Sequence, residues 1–351
     1  MPVAKKRDHP AARYRNLENV GSVTWVHWLA KAIVQRGIGA LPNPHYWNEL
    51  LQDRVTHSLE LTDERFEDSL RNCRNHLEQL RRYGPTAADS GFSVFELGTG
   101  WFPVVPIGLF LCGAREVWTW DVAPLLRFDR LKLTMRRFLE LEQSQGSQDR
   151  LRAMPEQLAQ LRQVLALCES PEGFEPAELL ERLGIYYRIG NASRSGLPPQ
   201  SVDLIVSDVV FEYLSPEELF EILQEFRRIA APDAVMSHTI DLGDQYATYD
   251  SGITKFNFLR FSDRLWRWLN NPIIPLNRLR ISDYRRAFNE SGFQVVAEIS
   301  QRGDPAELAR TPLAARFRDY SIEDLLVSHT WLVAIPRPEV DPVSATAGAA
   351  S

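Results

Sequence analysis

Residues 93–103, SVFELGTGWFP, constrain the fold more than any other stretch of this chain. A short apolar run carries an acid, Glu96, just before its end. Gly98 and Gly100 then open a turn, and an apolar segment beginning with proline (residues 103–113, PVVPIGLFLCG) follows. That order reads as strand, tight turn and buried helix. Glycine in the turn lets the backbone bend sharply and lets a ligand approach the main chain without meeting a Cβ. The next apolar run, EVWTWD (116–121), closes on a second acid, Asp121. A carboxylate at the end of the second strand can accept hydrogen bonds from both hydroxyls of a ribose, so the pair of features points to a nucleoside ligand over the strand ends.

The rest of the chain supports a parallel α/β sheet. VDLIVSD (202–208) is continuously apolar, as a strand buried on both faces should be. Ser215 with Pro216 marks a helix start ahead of an amphipathic run, and AVMSHTID (234–241) is the next strand. Ser282 is expected to cap a helix that Gly292 ends. QVVAEIS (294–300) and HTWLVAI (329–335) are late strands with little helical pattern between them, which suggests an antiparallel edge.

Residues 125–184 are rich in Leu, Arg and Gln, helical in pattern and too long for a simple crossover. We read them as a helical insertion. Leu50, Leu51, Val55, Leu59, Leu61 and Phe66, then Leu70, Leu77 and Leu80, recur at helical spacing until Tyr83-Gly84-Pro85. The expected organisation is a helical N-terminal region (1–90), an α/β domain with its insertion (91–335), and a disordered tail of small residues and proline (336–351).

Composition removes some classes. The net charge of −6 over 351 residues disfavours a nucleic-acid-binding surface. No apolar run is long enough to span a membrane, and no apolar segment follows the basic N-terminus as a secretion signal requires. Cys73, Cys112 and Cys168 form no pair at metal-ligand spacing. They read as reduced thiols, and the cytoplasm is the expected location.

Two nucleoside cofactor classes use this layout. A dinucleotide loop needs a third glycine, yet Pro103 stands there, and Trp101 and Phe102 fill the loop. Glu96 would repel a pyrophosphate and suit a cation. The segment resembles the class I S-adenosylmethionine-dependent methyltransferases. Their first motif matches Glu96-Leu97-Gly98-Thr99-Gly100, their ribose acid Asp121, their adenine position Asn191-Ala192, and their fourth-strand motif residues 202–208. Val210-Phe211-Glu212-Tyr213-Leu214 looks like their common V-L-E-H-L. Asn191 replaces the more usual Asp, and Tyr213 stands where many members have His.

The resemblance implies a Rossmann-like, mostly parallel seven-stranded sheet with an antiparallel last strand and S-adenosylmethionine across the C-terminal strand ends. The implied cofactor set is Glu96, Gly98, Thr99, Gly100, Asp121, Asn191, Ala192 and Ser207. It also implies methyl transfer to a hydroxyl or amine of a small-molecule acceptor. The alternatives are a catalytically silent cofactor-binding protein or partner subunit, and a protein or RNA methyltransferase.

The acceptor side must come from the ends of the fourth and fifth strands. His238, whose ordinary pKa suits neutral pH, is the first candidate base, with Asp241 and Asp208 beside it. His238, Asp241 and Asp244 match no strong metal signature, so no metal is assigned. Phe256, Phe258, Phe261, Trp266 and Trp268 either pack a cap or line an acceptor pocket. Arg260, Arg278 and Arg280 are candidates to hold an anionic group of the substrate. Helical additions such as 15–90 and 125–184 commonly cover an active site or build a dimer contact.

Overall fold

A computed structural model describes residues 60–84, 91–143, 151–169, 173–249, 252–270 and 275–338. Those residues form one seven-stranded sheet: β1 (Phe92–Leu97), β2 (Ala114–Asp121), β3 (Ile185–Ile189), β4 (Val202–Asp208), β5 (Ala230–Asp241), β6 (Phe293–Arg302) and β7 (Val327–Pro336). The order across the sheet is β3-β2-β1-β4-β5-β7-β6. Strands β1 to β5 pair in parallel, and β7 runs antiparallel to both of its neighbours. The chain steps one way from β1 to β3 and the other way from β4 onward. That reversal opens a crevice at the C-terminal ends of β1 and β4, where open α/β sheets hold ligands.

Each face of the sheet has its own core. On one side α1 (Asp63–Tyr83), α2 (Val104–Leu111), α3 (Phe128–Gln143), α4 (Pro155–Leu167) and α5 (Pro176–Glu181) pack over Val94, Val117, Leu204, Val206 and Val333. On the other, α6 (Pro216–Ile229) and a later helix cover Phe95, Ile205, Met236 and Leu332. In α1 the Thr62 hydroxyl accepts from the Arg65 N–H, acids sit in the first turn and Arg81 and Arg82 in the last. Its buried stripe is Phe66, Leu70, Cys73, His76, Leu77 and Leu80, so a histidine lies within an apolar row. The helical spacing at 50–59 and the tail beyond 338 lie outside the described residues.

In α6, Ser215 and Glu218 close a reciprocal capping box behind Pro216. Leu219, Ile222, Leu223, Phe226 and Ile229 make its buried stripe, each worth about 1.5–3 kcal/mol of burial. Among the described residues three helices, α3 to α5, link β2 to β3 and enlarge the first core. Strand β3, IYYRI, carries no run that pattern alone would mark. It is an edge strand with Tyr and Arg half-buried.

Among the described residues five further helices follow β5: α7 (Tyr246–Tyr249), α8 (Asp263–Leu269), α9 (Ile281–Glu290), and, between β6 and β7, α10 (Pro305–Arg310) with α11 (Ile322–Leu326) close behind it. Sequence pattern shows little helix between β6 and β7 because α10 and α11 span barely more than one turn, too short for a 3.6-residue period. Ser282 does not cap α9. Arg280 holds that position, with its N–H on the Asp283 carboxylate, while the Ser282 hydroxyl donates to Asp324 from inside the first turn.

A third core gathers Ile253, Phe256, Phe258, Phe261, Trp266, Phe317 and Leu325. The Leu242 N–H donates to the Ser328 carbonyl and the Gly303 N–H to Leu326, so this cap is tied where β5 and β6 end and β7 begins. Because β7 is reversed, those points share one edge of the sheet. The cap stands beside the C-terminal ends of the parallel strands.

Candidate functional site

Strand β1 leaves the sheet still tied to β2, because the Gly98 N–H donates to the Trp120 carbonyl at 2.7 Å. Gly98 has φ +90°, and a Cβ there would lie 2.4 Å from a Val210 methyl. Gly100 has φ +67°, and a Cβ there would meet nothing within 4 Å. One glycine therefore permits a close approach inside the protein, and the other borders open space at the strand ends. The Gly100 N–H donates to Asp121 Oδ2 at 2.9 Å, and the Ala123 N–H to Oδ1 at 3.3 Å. Each carboxylate oxygen keeps a free lone pair for a further donor. Burial raises the Asp121 pKa, and these N–H bonds work against that rise.

Around this carboxylate the strand ends leave large apolar side chains open. Val122 follows β2 and is 77% exposed; Ile189 ends β3 and Val209 follows β4, at 45% and 41%. Val209 also has φ +52°, an uncommon conformation for a β-branched residue. Bonds from its N–H to the Thr239 carbonyl and hydroxyl hold it there. Asn191 is exposed, and its Oδ1 accepts from the Ser193 N–H at 2.9 Å, capping the turn at 192–194 above buried Ala192. The Gly190 N–H on the Asp121 carbonyl, at 2.9 Å, ties this corner to the end of β2.

Beneath the glycine loop the Thr119 hydroxyl donates to Glu96 and pairs with the Thr99 hydroxyl. Glu96 and Thr99 are both buried, so Thr99 offers the open side its backbone rather than its hydroxyl. Burial pushes the Glu96 carboxyl up to about 8 despite the Thr119 bond, and the charges of Asp208 and Asp121 add to the rise. A positive group nearby would reverse that shift.

The ends of β4 and β5 carry a second set of polar groups on the α1 side of the sheet. The Trp331 indole N–H donates to Ser237 Oγ at 2.9 Å, and Ser237 Oγ lies 2.8 Å from His76 Nδ1. His76 Nε2 lies 3.4 Å from the Asp208 carboxylate. The indole can only donate, so Ser237 Oγ accepts from it, and His76 Nε2 faces Asp208 as the donor. The Thr239 hydroxyl donates to Asp208 Oδ1 at 2.9 Å. Burial pushes Asp208 up, but the charge and hydrogen bond of His76, with bonds from Thr239 and Asn72, outweigh it and hold the pKa below the ordinary value. The Asp208 side chain keeps 19% exposure.

Asp241 ends β5 opposite His329 of β7, and its Oδ1 accepts from the Gly243 N–H at 2.9 Å. Burial raises its pKa, against the pull of Lys255 and His329. Glu212, in the turn after β4, is 3% exposed, and neither carboxylate oxygen has a hydrogen-bond partner among the described residues. Burial drives its pKa well above the usual carboxylate range, and the charges of Asp241 and Asp208 add to that.

Three expectations from sequence meet a different geometry. His238 is fully buried on the opposite face of the sheet from Asp208, its Nδ1 2.8 Å from Ser207 Oγ and its ring stacked on Phe211 at 4.5 Å. Burial holds its pKa well below the ordinary value. A base must reach the proton it removes, and this burial keeps the His238 ring from the open strand ends where the sequence places it. Alternation along the strand is the reason, since neighbours in β5 point to opposite faces. Ser207 shares that fate: its side chain supports His238 and does not line the glycine loop.

Arg278 and Arg280 are also buried, and their guanidiniums bond to the carbonyls of Phe258 and Phe261 and of Leu242, Leu325 and Val327. They hold the cap together and do not offer an anion site. Among the described residues no group of three or more His, Cys, Asp or Glu is placed to hold a metal ion. Sequence reasoning missed His76 altogether; its signal was a histidine within the apolar stripe of α1.

A family model described as a methyltransferase domain matches residues 146–237. That span includes Asn191, Ser207, Asp208 and Glu212 but stops short of the glycine loop and Asp121 at its N-terminal side. No curated protein sequence matches the chain. Similar solved structures include an S-adenosylmethionine-dependent methyltransferase from Methanosarcina mazei, 12% identical, over 74% of this chain and 97% of that one, with a TM-score of 0.40. Another is geranyl diphosphate C-methyltransferase from Streptomyces coelicolor, 12% identical over 76% and 78%, at 0.40. A third, an S-adenosylmethionine-dependent methyltransferase from Mesorhizobium loti, is 14% identical over 75% and 96%, at 0.38. The strand order and register of the chain itself define the fold.

Proposed function

We propose that this chain, a member of the class I S-adenosylmethionine-dependent methyltransferase superfamily by its strand order, glycine loop and matched domain, transfers a methyl group to an oxygen or nitrogen of a small-molecule acceptor. The observation that carries the reading is the Gly100–Asp121 bond beside open space and the exposed Val122, Ile189 and Val209. A carboxylate with free lone pairs, an open main chain and an apolar rim suit a nucleoside. A dinucleotide pyrophosphate would instead face Glu96 and the bulk of Trp101 and Phe102.

In this reading Asp121 holds the ribose, Asn191 and Ala192 flank the adenine, and the backbone of residues 98–100 lines the methionine portion, with Glu96 beneath it. Bound S-adenosylmethionine supplies a methyl carbon on a sulfonium, whose leaving group is a neutral thioether. The protein then needs chiefly to align the acceptor. With the nucleoside over β1 to β3, the methyl would lie toward the ends of β4 and β5, where Asp208, Asp241 and the cap stand. The three free cysteines agree with action in the cytoplasm.

The test incubates the purified protein with methyl-labelled cofactor and a cell extract split by size. S-adenosylhomocysteine formed together with labelled small molecules is the expected result. Binding without product above background would make the chain a silent cofactor-binding protein. Label in the large fraction would make it a protein or RNA methyltransferase.

A further inference from the structure

Where β4, β5 and β7 meet the cap end of the sheet, each strand gives up its burial at one polar residue. Every residue of β7 is buried except His329 and Ile335, and Ile335 lies at the other end of the strand. In β5 the buried run from Ala234 to Ile240 ends at half-buried Asp241. In β4 the buried run from Leu204 to Ser207 ends at half-buried Asp208.

The ladder fixes where these three stand. Asp241 pairs with His329 across the antiparallel β5–β7 ladder, and Asp208 pairs with Thr239. Directly opposite side chains in such a ladder have Cβ atoms about 4.5–5.5 Å apart. Alternation along each strand puts all three on one face. Ser237 and Trp331 bond to each other on the α1 side. Asp241, four residues after Ser237, and His329, two before Trp331, share that side. The Thr239 hydroxyl meets Asp208 there as well.

Three histidines lie among the described residues. His76 is fully buried with a partner at each ring nitrogen, and His238 is fully buried on the opposite face. His329 alone of the three keeps an open side. The charges that act on it are Asp241 from β5, Asp208 from β4 and Lys255 from the cap, while β6 sets uncharged Gln301 opposite it. From α1, the His76 ring packs on neighbouring Trp331 at 4.8 Å. Burial and Lys255 hold the His329 pKa below its ordinary value, against the pull of the two carboxylates. The ring is then uncharged at neutral pH and has a lone pair to offer.

We propose that His329 is the general base of methyl transfer, taking the proton of the acceptor's attacking oxygen or nitrogen, with Asp241 orienting its ring. This rests on the methyltransferase reading above and supplies the base that His238 does not. A carboxylate beside an imidazole selects its tautomer and steadies the imidazolium that forms. The acceptor's O–H or N–H bond breaks with its electron pair left on the heteroatom, and the proton passes to the imidazole. A pair on that heteroatom forms the bond to the methyl carbon, and the C–S bond breaks with its pair left on sulfur. The products are the methylated acceptor, S-adenosylhomocysteine and a His329 imidazolium, which returns its proton to water on its open side.

The test measures labelled small molecules formed from extract by the wild type, His329→Gln and Asp241→Asn over about pH 5 to 8. The extract is diluted until rate is proportional to it, so that the profile reports the enzyme before the acceptor binds. Beside it, NMR titrates the histidine ring signals with S-adenosylhomocysteine present, and the signal missing from His329→Gln belongs to His329. The wild-type rate should rise with pH along a limb whose midpoint matches that signal. Asp241→Asn removes a charge that raises the imidazole, so limb and signal should move to lower pH together. His329→Gln should lose the limb and about a hundredfold in rate at neutral pH. Its affinity for S-adenosylhomocysteine should stay within about threefold, which also reports that it is folded. If it binds none, the joint shift in Asp241→Asn decides alone. A folded His329→Gln with the wild-type rate, or a limb that stays while the signal moves, would overturn the proposal and leave the methyltransferase reading standing. A wild type that forms no labelled product would bring down that reading and the proposal with it.

Discussion

The two halves of the site are built in different ways. Over β1 to β3 the candidate site is built from strand ends and main chain, and each group is fixed by its immediate neighbours: Gly98 by Trp120, Asp121 by Gly100, Asn191 by Ser193. Over β4 and β5 the polar groups are side chains gathered from distant segments. His76 comes from α1, Ser237 from β5 and Trp331 from β7, and they form one chain of hydrogen bonds, Trp331 to Ser237 to His76, that ends on Asp208. The first kind of site can recognise a constant ligand through backbone geometry. The second can be rebuilt by changing a helix or a cap, which suits a variable acceptor.

Substitutions should therefore separate the halves. The largest effect is expected from Gly98→Val. Its Cβ would sit 2.4 Å from Val210 at a φ of +90°, so strain and overlap both act on the turn. Calorimetry should find no measurable cofactor binding, whereas Gly100→Ala, facing open space, should remain folded and lose affinity only partly. A Gly98→Val protein that binds normally would break the backbone account of the first half.

Asp208→Asn should have the opposite signature. Methyl transfer to the acceptor should fall by about a hundredfold, the scale of a mispositioned reactant, with cofactor affinity within about threefold. If both fall together, the halves are not separable.

His76→Phe removes the bond that holds Asp208 and should cost roughly 1–3 kcal/mol of stability in denaturant unfolding at neutral pH, since it leaves a half-buried carboxylate short of its partner. The folded pKa of Asp208 is depressed. Its contribution is therefore present above the unfolded value of about 3.9 and lost as pH falls through the lower folded value. The gap between the wild type and the variant should shrink across that acid range, and a gap independent of pH would remove the His76–Asp208 pair from the account.

The smallest effect concerns Glu96, held up at about 8 by burial. A sulfonium placed near it should lower that value. Cofactor binding near neutral pH should then release a fraction of a proton, seen as a dependence of the binding heat on buffer ionisation. S-adenosylhomocysteine, which lacks the charge, should release less. Equal release by both ligands, or release retained in Glu96→Gln, would place the sulfonium elsewhere.

The same contrast explains what could be read in the sequence. Strand β4 was legible to the residue because a doubly buried parallel strand is a continuous apolar run, and the turn after β1 because glycine at positive φ leaves a local mark. The expected seven strands with a reversed last one are those observed. Helices α10 and α11 were not legible because a single turn has no period. His238 was read as facing the acceptor because periodicity says that strand neighbours alternate but not which face holds the ligand. His76 and Glu212 carry no local mark of their setting, since His76 meets residues more than a hundred positions away and no local pattern encodes the burial of Glu212.

The central claim is that Asp121 and the glycine loop hold S-adenosylmethionine. Titration calorimetry of the cofactor into the wild type and Asp121→Ala tests it most directly, with NAD as the control ligand. The account predicts micromolar binding to the wild type and no binding of NAD. In the variant it predicts a loss of roughly 1–3 kcal/mol, the scale of a charge-assisted hydrogen-bond pair. Equal affinity in the two proteins, or tighter binding of NAD, would contradict it.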